Sequence, residues 1–298
     1  MIDPMPAYRV GLNPLPWVLT ARGFDLSVPV LREAFAEIAG TPFRGIHADP
    51  PAELDPDGYR ALLAEFGLHP APGYFSAHFH ETDPTEVVET AKVFGAGQAR
   101  LGLTEAFIAG KLTEARIARP AVGADFDEAR LQATIDNLGL AAEAITAEGV
   151  RPALHPHVGS LIEVEDEVRR LLEAIPAGVL GFGPDTGHLS WAQMDPAAVM
   201  ADYADRIAAV HLKDVHLDQA QQARAAGADY HKAARHDFTV WTEPGRGDVD
   251  LQAALDALPE SFAGWVMVEV DVPEAASNLE STQISAAWVT EHLGADRF

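Results

Sequence analysis

Four stretches hold most of the residues that could bind a cation or move a proton. The first reads His155-Pro156-His157-Val158-Gly159-Ser160, with Glu163 just beyond. The second is Asp185-Thr186-Gly187-His188, and the third is His211-Leu212-Lys213-Asp214. The last is Glu269-Val270-Asp271. Imidazole and carboxylate are the donors that borderline and hard divalent ions take. The chain has no cysteine, so disulfides, thiolate ligands and cysteine nucleophiles are excluded. A structural zinc site built on closely spaced cysteines is excluded with them. Taken singly, each residue also has a plainer reading. A strand-end histidine usually serves as a hydrogen-bonded structural residue, and Asp-Thr-Gly is a common turn. Arg169-Arg170 reads as a solvated helix face, and Glu165, Asp166 and Glu167 as carboxylates suited to a helix start. His216, His231 and His236 read as loop residues. What singles out the four stretches is that each ends a short apolar run at the same point of a repeating unit.

That unit is a strand followed by a helix. Tyr8–Asn13, Phe43–Ala48, Ala71–Ala77, Ala99–Thr104, Arg151–His157, Val179–Asp185, Ala208–Asp214 and Trp265–Asp271 read as strands. Between them apolar residues recur at helical spacing, as in Leu131, Ile135, Leu138, Ala142 and Ile145, or Val164, Val168, Leu171, Leu172 and Ile175. The last helix is read over Leu279–Leu293. Alternating strands and helices imply parallel strands joined by right-handed crossovers. Eight pairs fit a closed (β/α)8 TIM barrel, an α/β fold forming a single domain over residues 1–298. The competing doubly wound sheet usually carries a glycine-rich phosphate turn after its first strand. Gly11-Leu12-Asn13-Pro14 is no such turn. In a barrel, the C-terminal strand ends converge on one point, where active sites sit. The segment from His216 to Asp248 has no clear place in the alternation and reads as a long loop over that face.

The formal charge of −24 disfavours nucleic acid as a partner, because phosphate backbones are engaged by clustered Lys and Arg. No apolar run approaches the roughly 20 residues of a membrane helix, so no membrane partner is expected. The N-terminus lacks a basic-then-apolar signal pattern, and a cytoplasmic location is expected. A homo-oligomer is compatible with the sequence.

Together these motifs resemble the xylose-isomerase-like barrel superfamily, and within it the branch that includes inosose dehydratases. The resemblance is carried by His155-Pro156-His157-x-Gly159-Ser160-x-x-Glu163, Asp185-Thr186-Gly187-His188-Leu189 and His211-Leu212-Lys213-Asp214-Val215. Gly245-Arg246-Gly247-Asp248-Val249-Asp250, Gly264-Trp265-Val266-x-Val268-Glu269-x-Asp271 and Gly11-x-Asn13-Pro14-x-x-Trp17 extend it over most of the chain. It implies a divalent metal, Mn²⁺ first, with Mg²⁺, Co²⁺ or Zn²⁺ as alternatives. Asp185, His211 and Glu269 match three of the family's ligands. Many members take the fourth from a glutamate ending the fifth strand, where this chain has His155. Glu163 is the nearest carboxylate and the favoured fourth ligand, with His155 the alternative. Pocket residues implied for the substrate are His155, His157, Arg246 and Trp17. A DNA-repair nuclease belongs to the same superfamily, and the negative charge argues against that activity here.

The expected substrate is a sugar or cyclitol carrying a carbonyl. A divalent ion polarises that carbonyl and acidifies the adjacent C–H. A base then removes the proton, and an enediolate forms. Protonating a leaving hydroxyl gives dehydration; returning the proton to carbon gives isomerisation or epimerisation. Glu163 and Glu269 are candidate acids or bases as well as ligands, and His188 and Lys213 are the next candidates. The lyase reading leads. The alternatives are an isomerase or epimerase on the same metal site, and a barrel that keeps the metal as a non-enzymatic partner subunit.

Overall fold

Eight short parallel strands close into a barrel in the computed structural model, which describes residues 8–20, 23–235 and 237–298. His236 lies outside the described residues. The first strand, Arg9–Leu12, pairs with the second, Gly45–His47, on one side. On the other it pairs with the eighth, Trp265–Val268, which pairs in turn with the seventh, Ala209–Leu212. The third strand comes in two pieces. His69–Ala71 pairs with the second strand, and Tyr74–Ala77 pairs with the fourth, Glu105–Gly110. The break falls at Gly73, where a Cβ would come within 2.5 Å of the Ala48 carbonyl oxygen. The fifth strand, Arg151–Leu154, and the sixth, Gly181–Phe182, continue the ring. Parallel bridges Phe182–Ile207 and Asp185–His211 join the sixth unit to the seventh.

The outer layer consists of Val28–Ile38, Pro56–Glu65, Pro84–Arg100, Glu128–Ala147, Glu165–Ala174, Pro196–Asp202, Leu251–Asp256 and Asn278–His292. Their starts are built into the sequence. The side chains of Asp55, Asp83, Asp127, Asp195, Asp250 and Ser277 each accept a backbone N–H of the first turn. Such caps are worth about 1 kcal/mol each. No helix among the described residues is long and apolar enough to cross a membrane.

The barrel axis below the site is filled by Phe107, Trp265 and Met267, all buried. Two glycines make room for them: a Cβ on Gly45 would stand 2.3 Å from the Trp265 ring, and one on Gly11 2.7 Å from the Met267 sulfur. The barrel is therefore a packed plug beneath a polar rim.

Two sequence expectations shift. The run Ala99–Thr104 is not a strand. The helix capped by Asp83 continues to Arg100, and the fourth strand is Glu105–Gly110. Leu101 and Leu103 alternate because both are buried in the connecting turn, which reverses at Gly102 with φ +82°. The segment from His216 to Asp248 is more ordered than a loop. It contains helices Leu217–Ala225 and Tyr230–Arg235, and Asp214–Val215 pairs antiparallel with Trp241–Thr242.

Candidate metal centre

Asp185 follows the sixth strand and starts a short helix, Thr186–Trp191. Its Oδ1 accepts the His188 backbone N–H at 2.8 Å, which caps the helix and leaves Oδ2 facing the barrel axis. That oxygen is fully buried and accepts no hydrogen bond. Around it stand His155 Nε2 at 4.0 Å and His211 Nδ1 at 3.7 Å; His211 Nδ1 lies 3.4 Å from Glu269 Oε2. Donors about 2.0–2.2 Å from a tetrahedral ion stand about 3.3–3.6 Å apart, so small shifts would close this set on a cation. Both ring nitrogens of His211 and Nδ1 of His155 are buried without hydrogen-bond partners. Buried polar atoms are nearly always satisfied, and a cluster of unsatisfied imidazole and carboxylate atoms fits a site that holds a cation.

Charge makes the same case. With all three ionised, the carboxylates of Asp185, Glu269 and Asp271 exceed the Lys213 ammonium by two charges, which a dication would balance. Burial raises Asp185 to about 7, with Lys213 opposing and Glu269 adding to the rise. Burial also lowers His211 to about 3 and drives His155 well below its usual value. Both imidazoles are thus held neutral, the form a metal requires. Burial works against a charged Lys213 too, but Asp271, Glu269 and Asp185 outweigh it and hold the ammonium well above the usual lysine range. Burial likewise opposes a charged Glu269, and the Lys213 ammonium beside it outweighs burial and holds the carboxyl well below the usual carboxylate range.

The sequence motifs fit these contacts. Thr186 Oγ1 donates to the Lys213 carbonyl at 2.7 Å and accepts the Lys213 N–H at 2.9 Å, tying the sixth strand end to the seventh. Gly187 leaves room for the lysine stem, since a Cβ there would stand 2.8 Å from Lys213 Cγ. Lys213 Nζ reaches Glu269 Oε1 at 2.5 Å and Asp271 Oδ1 at 2.6 Å, over the face of Trp241. Asp214 accepts backbone N–H groups from Val215, Gly245, Gly247 and Val249, which folds the Gly-Arg-Gly piece back onto the seventh strand end. A Cβ on Gly247 would lie 2.3 Å from Asp214 Oδ1.

Not every expected residue joins the centre. Glu163, favoured from the sequence as fourth ligand, is placed elsewhere. Its two oxygens accept Arg116 Nη1 at 3.0 Å and the N–H groups of Ala121, Gly123 and Gly159. Four donors fill it, and among the described residues none of the clusters of close ligand atoms includes it. His155, the alternative, instead has its Nε2 4.0 Å from Asp185 Oδ2. Trp17 donates its indole N–H to Glu37 at 3.0 Å and does not line the cavity. Arg246 is largely exposed, 3.5 Å from Glu243, and does not line it either. His188 is buried beside the centre, with a ring nitrogen within 4.8 Å of carboxylate oxygens of Asp185 and Glu269; its Nδ1 accepts the Val158 N–H and its Nε2 lies 3.4 Å from Lys213 Nζ. His157 reaches the cavity. Its Nδ1 donates to the Val158 carbonyl at 2.7 Å, leaving Nε2 as an acceptor. Of the loop histidines, His216 meets Glu274 at 3.1 Å, and His231 packs edge-on against Tyr230.

The cavity over the ligands measures about 440 Å³, toward the small end of small-molecule sites. Besides His155, His157 and Glu269, it is lined by Asn13, His47, Asp49, Tyr74 and Lys111. The sequence reading did not assign roles to these five. His47 and Asp49 close the second strand as His155 and His157 close the fifth, so the test applied to the later strands would have found them.

Comparison with known proteins adds to this geometry. Residues 34–292 match the family model described as xylose isomerase-like TIM barrel. An inosose dehydratase of Geobacillus kaustophilus is 26% identical over 287 residues, spanning 91% of this chain and 90% of its own. One from Lactiplantibacillus plantarum is 31% identical over 147 residues, about half of each chain. Among solved structures, the IolI protein with a binding zinc atom superposes with a TM-score of 0.67 at 17% identity, over 97% of this chain and 99% of that one.

Proposed function

The chain belongs to the xylose isomerase-like TIM barrel family, and from that membership we propose that it is a divalent-metal-dependent dehydratase acting on an inosose or a related keto-sugar. The observation that carries the reading is the ligand set itself. Buried Asp185, His155, His211 and Glu269 converge at one barrel end beside a cavity, and Asp185, His155 and His211 carry unsatisfied polar atoms there. The naming of full-length relatives as inosose dehydratases supports the substrate class. Manganese is the first ion to test, with magnesium, cobalt and zinc beside it. Cytoplasmic residence fits a catabolic enzyme of this kind.

When bound, the ion acts as a Lewis acid that polarises a carbonyl and acidifies the neighbouring C–H. The chain's own residues do the rest. Glu269 is gripped between Asn13 Nδ2 and Lys213 Nζ, each at 2.5 Å, so its carboxylate is fixed before substrate arrives. Fixed donors and charges are the larger share of what an enclosed site supplies to a charged transition state. His157 Nε2 faces the cavity and is placed to bind a substrate hydroxyl. Lys213 keeps Glu269 charged; with His188 at 3.4 Å from its Nζ, it is the proton source nearest the ligands for a departing hydroxyl.

A panel of inososes and ketoses incubated with metal-loaded protein tests the reading. Products lighter by one water are expected. Products of unchanged mass would hand the site to an isomerase or epimerase. No reaction across the panel would leave a metal-holding barrel without this activity.

A further inference from the structure

We propose that His47 and Asp49 form the catalytic dyad that removes the proton next to the substrate carbonyl, with His47 Nε2 as the base. This deepens the dehydratase reading and rests on it. His47 ends the second strand at the same barrel end as the ligands, and Asp49, two residues on, returns to the same face. His47 Nδ1 lies 3.2 Å from Asp49 Oδ2. An ionised carboxylate only accepts, so the ring carries its proton on Nδ1 and presents a bare Nε2. That Nε2 is buried and has no hydrogen-bond partner. Both side chains line the cavity that His155 and Glu269 line.

The ring is held rather than free. It stacks on Phe107 with planes 11° apart, and its centre lies 5.7 Å from that of His211. Tyr59 donates its hydroxyl to the His47 carbonyl at 3.3 Å, which steadies the strand end. Asp49 is about one-third exposed at the rim, so it can stabilise the imidazolium without being consumed by it. The orienting carboxylate of a His–Asp pair does this in other enzymes.

The remaining cavity groups are less suited. His155 and Glu269 are spent on the ion, and the Lys213 ammonium has no lone pair to take a proton. His157 has no carboxylate behind it, since its Nδ1 donates to the Val158 carbonyl at 2.7 Å, so nothing stabilises its imidazolium as Asp49 does that of His47. Lys111 is exposed at the mouth. In the step proposed, the C–H bond breaks and its proton goes to His47 Nε2. The electron pair moves into the enediolate, and the enediolate then collapses as hydroxide leaves with a proton from the opposite wall. Substrate minus one water is the product, and no oxidant or reductant is needed.

The test follows solvent-deuterium entry next to the carbonyl, water loss, metal content and thermal unfolding in wild type, His47→Gln and Asp49→Asn, with inosose as probe. His47→Gln should lower exchange and dehydration together by about 10²- to 10⁴-fold, the usual worth of a general base. Metal content and KM should stay near wild type. Asp49→Asn should lower both rates by about tenfold or more. Nitrogen NMR should find the His47 proton on Nδ1 in wild type and displaced in Asp49→Asn, whether or not metal is present. Wild-type exchange that survives in His47→Gln overturns the dyad alone, as does loss of metal from that variant. If His47→Gln does not fold, unchanged exchange in Asp49→Asn overturns it. Absence of both exchange and water loss in the wild type overturns the dehydratase reading, and the dyad falls with it.

Discussion

Replacing Glu163 with glutamine separates a structural carboxylate from a metal ligand. Glu163 accepts four donors: Arg116 and the backbone N–H groups of Ala121, Gly123 and Gly159. Glutamine turns one oxygen into an N–H₂ donor that faces at least one of those N–H groups, and it removes the charge opposite a buried guanidinium. Breaking one side of a buried pair costs about 3–5 kcal/mol. Arg116 keeps Glu167, with Nη2 2.5 Å from Oε1, which favours the lower end. Unfolding entropy near 2.1 cal/mol/K per residue converts this to a fall in Tm of about 5–8 °C for a chain of this length. Metal content at low temperature should stay at the wild-type level, because Glu163 is outside the ligand set. His155→Gln should do the opposite, losing metal while the metal-free protein melts near wild type. Calorimetry of both variants with and without metal, paired with elemental analysis, checks the pair. Loss of metal from Glu163→Gln with an unchanged metal-free Tm would refute the reasoning and restore Glu163 as the fourth ligand.

Three further outcomes are expected. Asp185→Asn, which removes a charged donor at the centre of the cluster, should abolish stoichiometric metal binding, as measured by elemental analysis. Metal affinity should weaken as pH falls. Asp185 titrates near 7 in the metal-free site and must be deprotonated to bind, so affinity should drop up to tenfold per pH unit below that value and level off above it, as read by titration calorimetry. Lys213→Met should leave metal content intact and lower dehydration by about 10²- to 10⁴-fold, since the proton source nearest the ligands is gone; retention of full activity would exclude Lys213 from the proton path.

The barrel was legible because every unit ends alike: a short apolar strand, then polar residues. Asp185, His211 and Glu269 could be placed at one barrel end from the sequence because motif and topology agreed on their level. Glu163 was misread because sequence distance does not show direction. Four residues after Gly159, its side chain turns outward to cap a loop against Arg116, a partner 47 residues away that no local pattern announces. His47 and Asp49 went unassigned for another reason. Their strand end, Ile46-His47-Ala48-Asp49, lies outside the motifs that carry the family resemblance, and only the closed barrel shows that it meets His211. Trp17 and Arg246 sit in motifs that fold the rim, through Glu37 and through the Asp214-bound Gly-Arg-Gly turn, and motif membership alone does not separate scaffold from pocket.

The central claim is metal-dependent loss of water from an inosose. The most direct measurement strips the protein with chelator, restores Mn²⁺, Mg²⁺, Co²⁺ or Zn²⁺ one at a time, and follows inosose by mass spectrometry in deuterated solvent. The stripped protein is expected not to react. With a restored ion, a product lighter by one water is expected, with the unreacted ketone carrying deuterium next to its carbonyl. Water loss at the same rate without metal, or no exchange and no water loss with any ion, would contradict it.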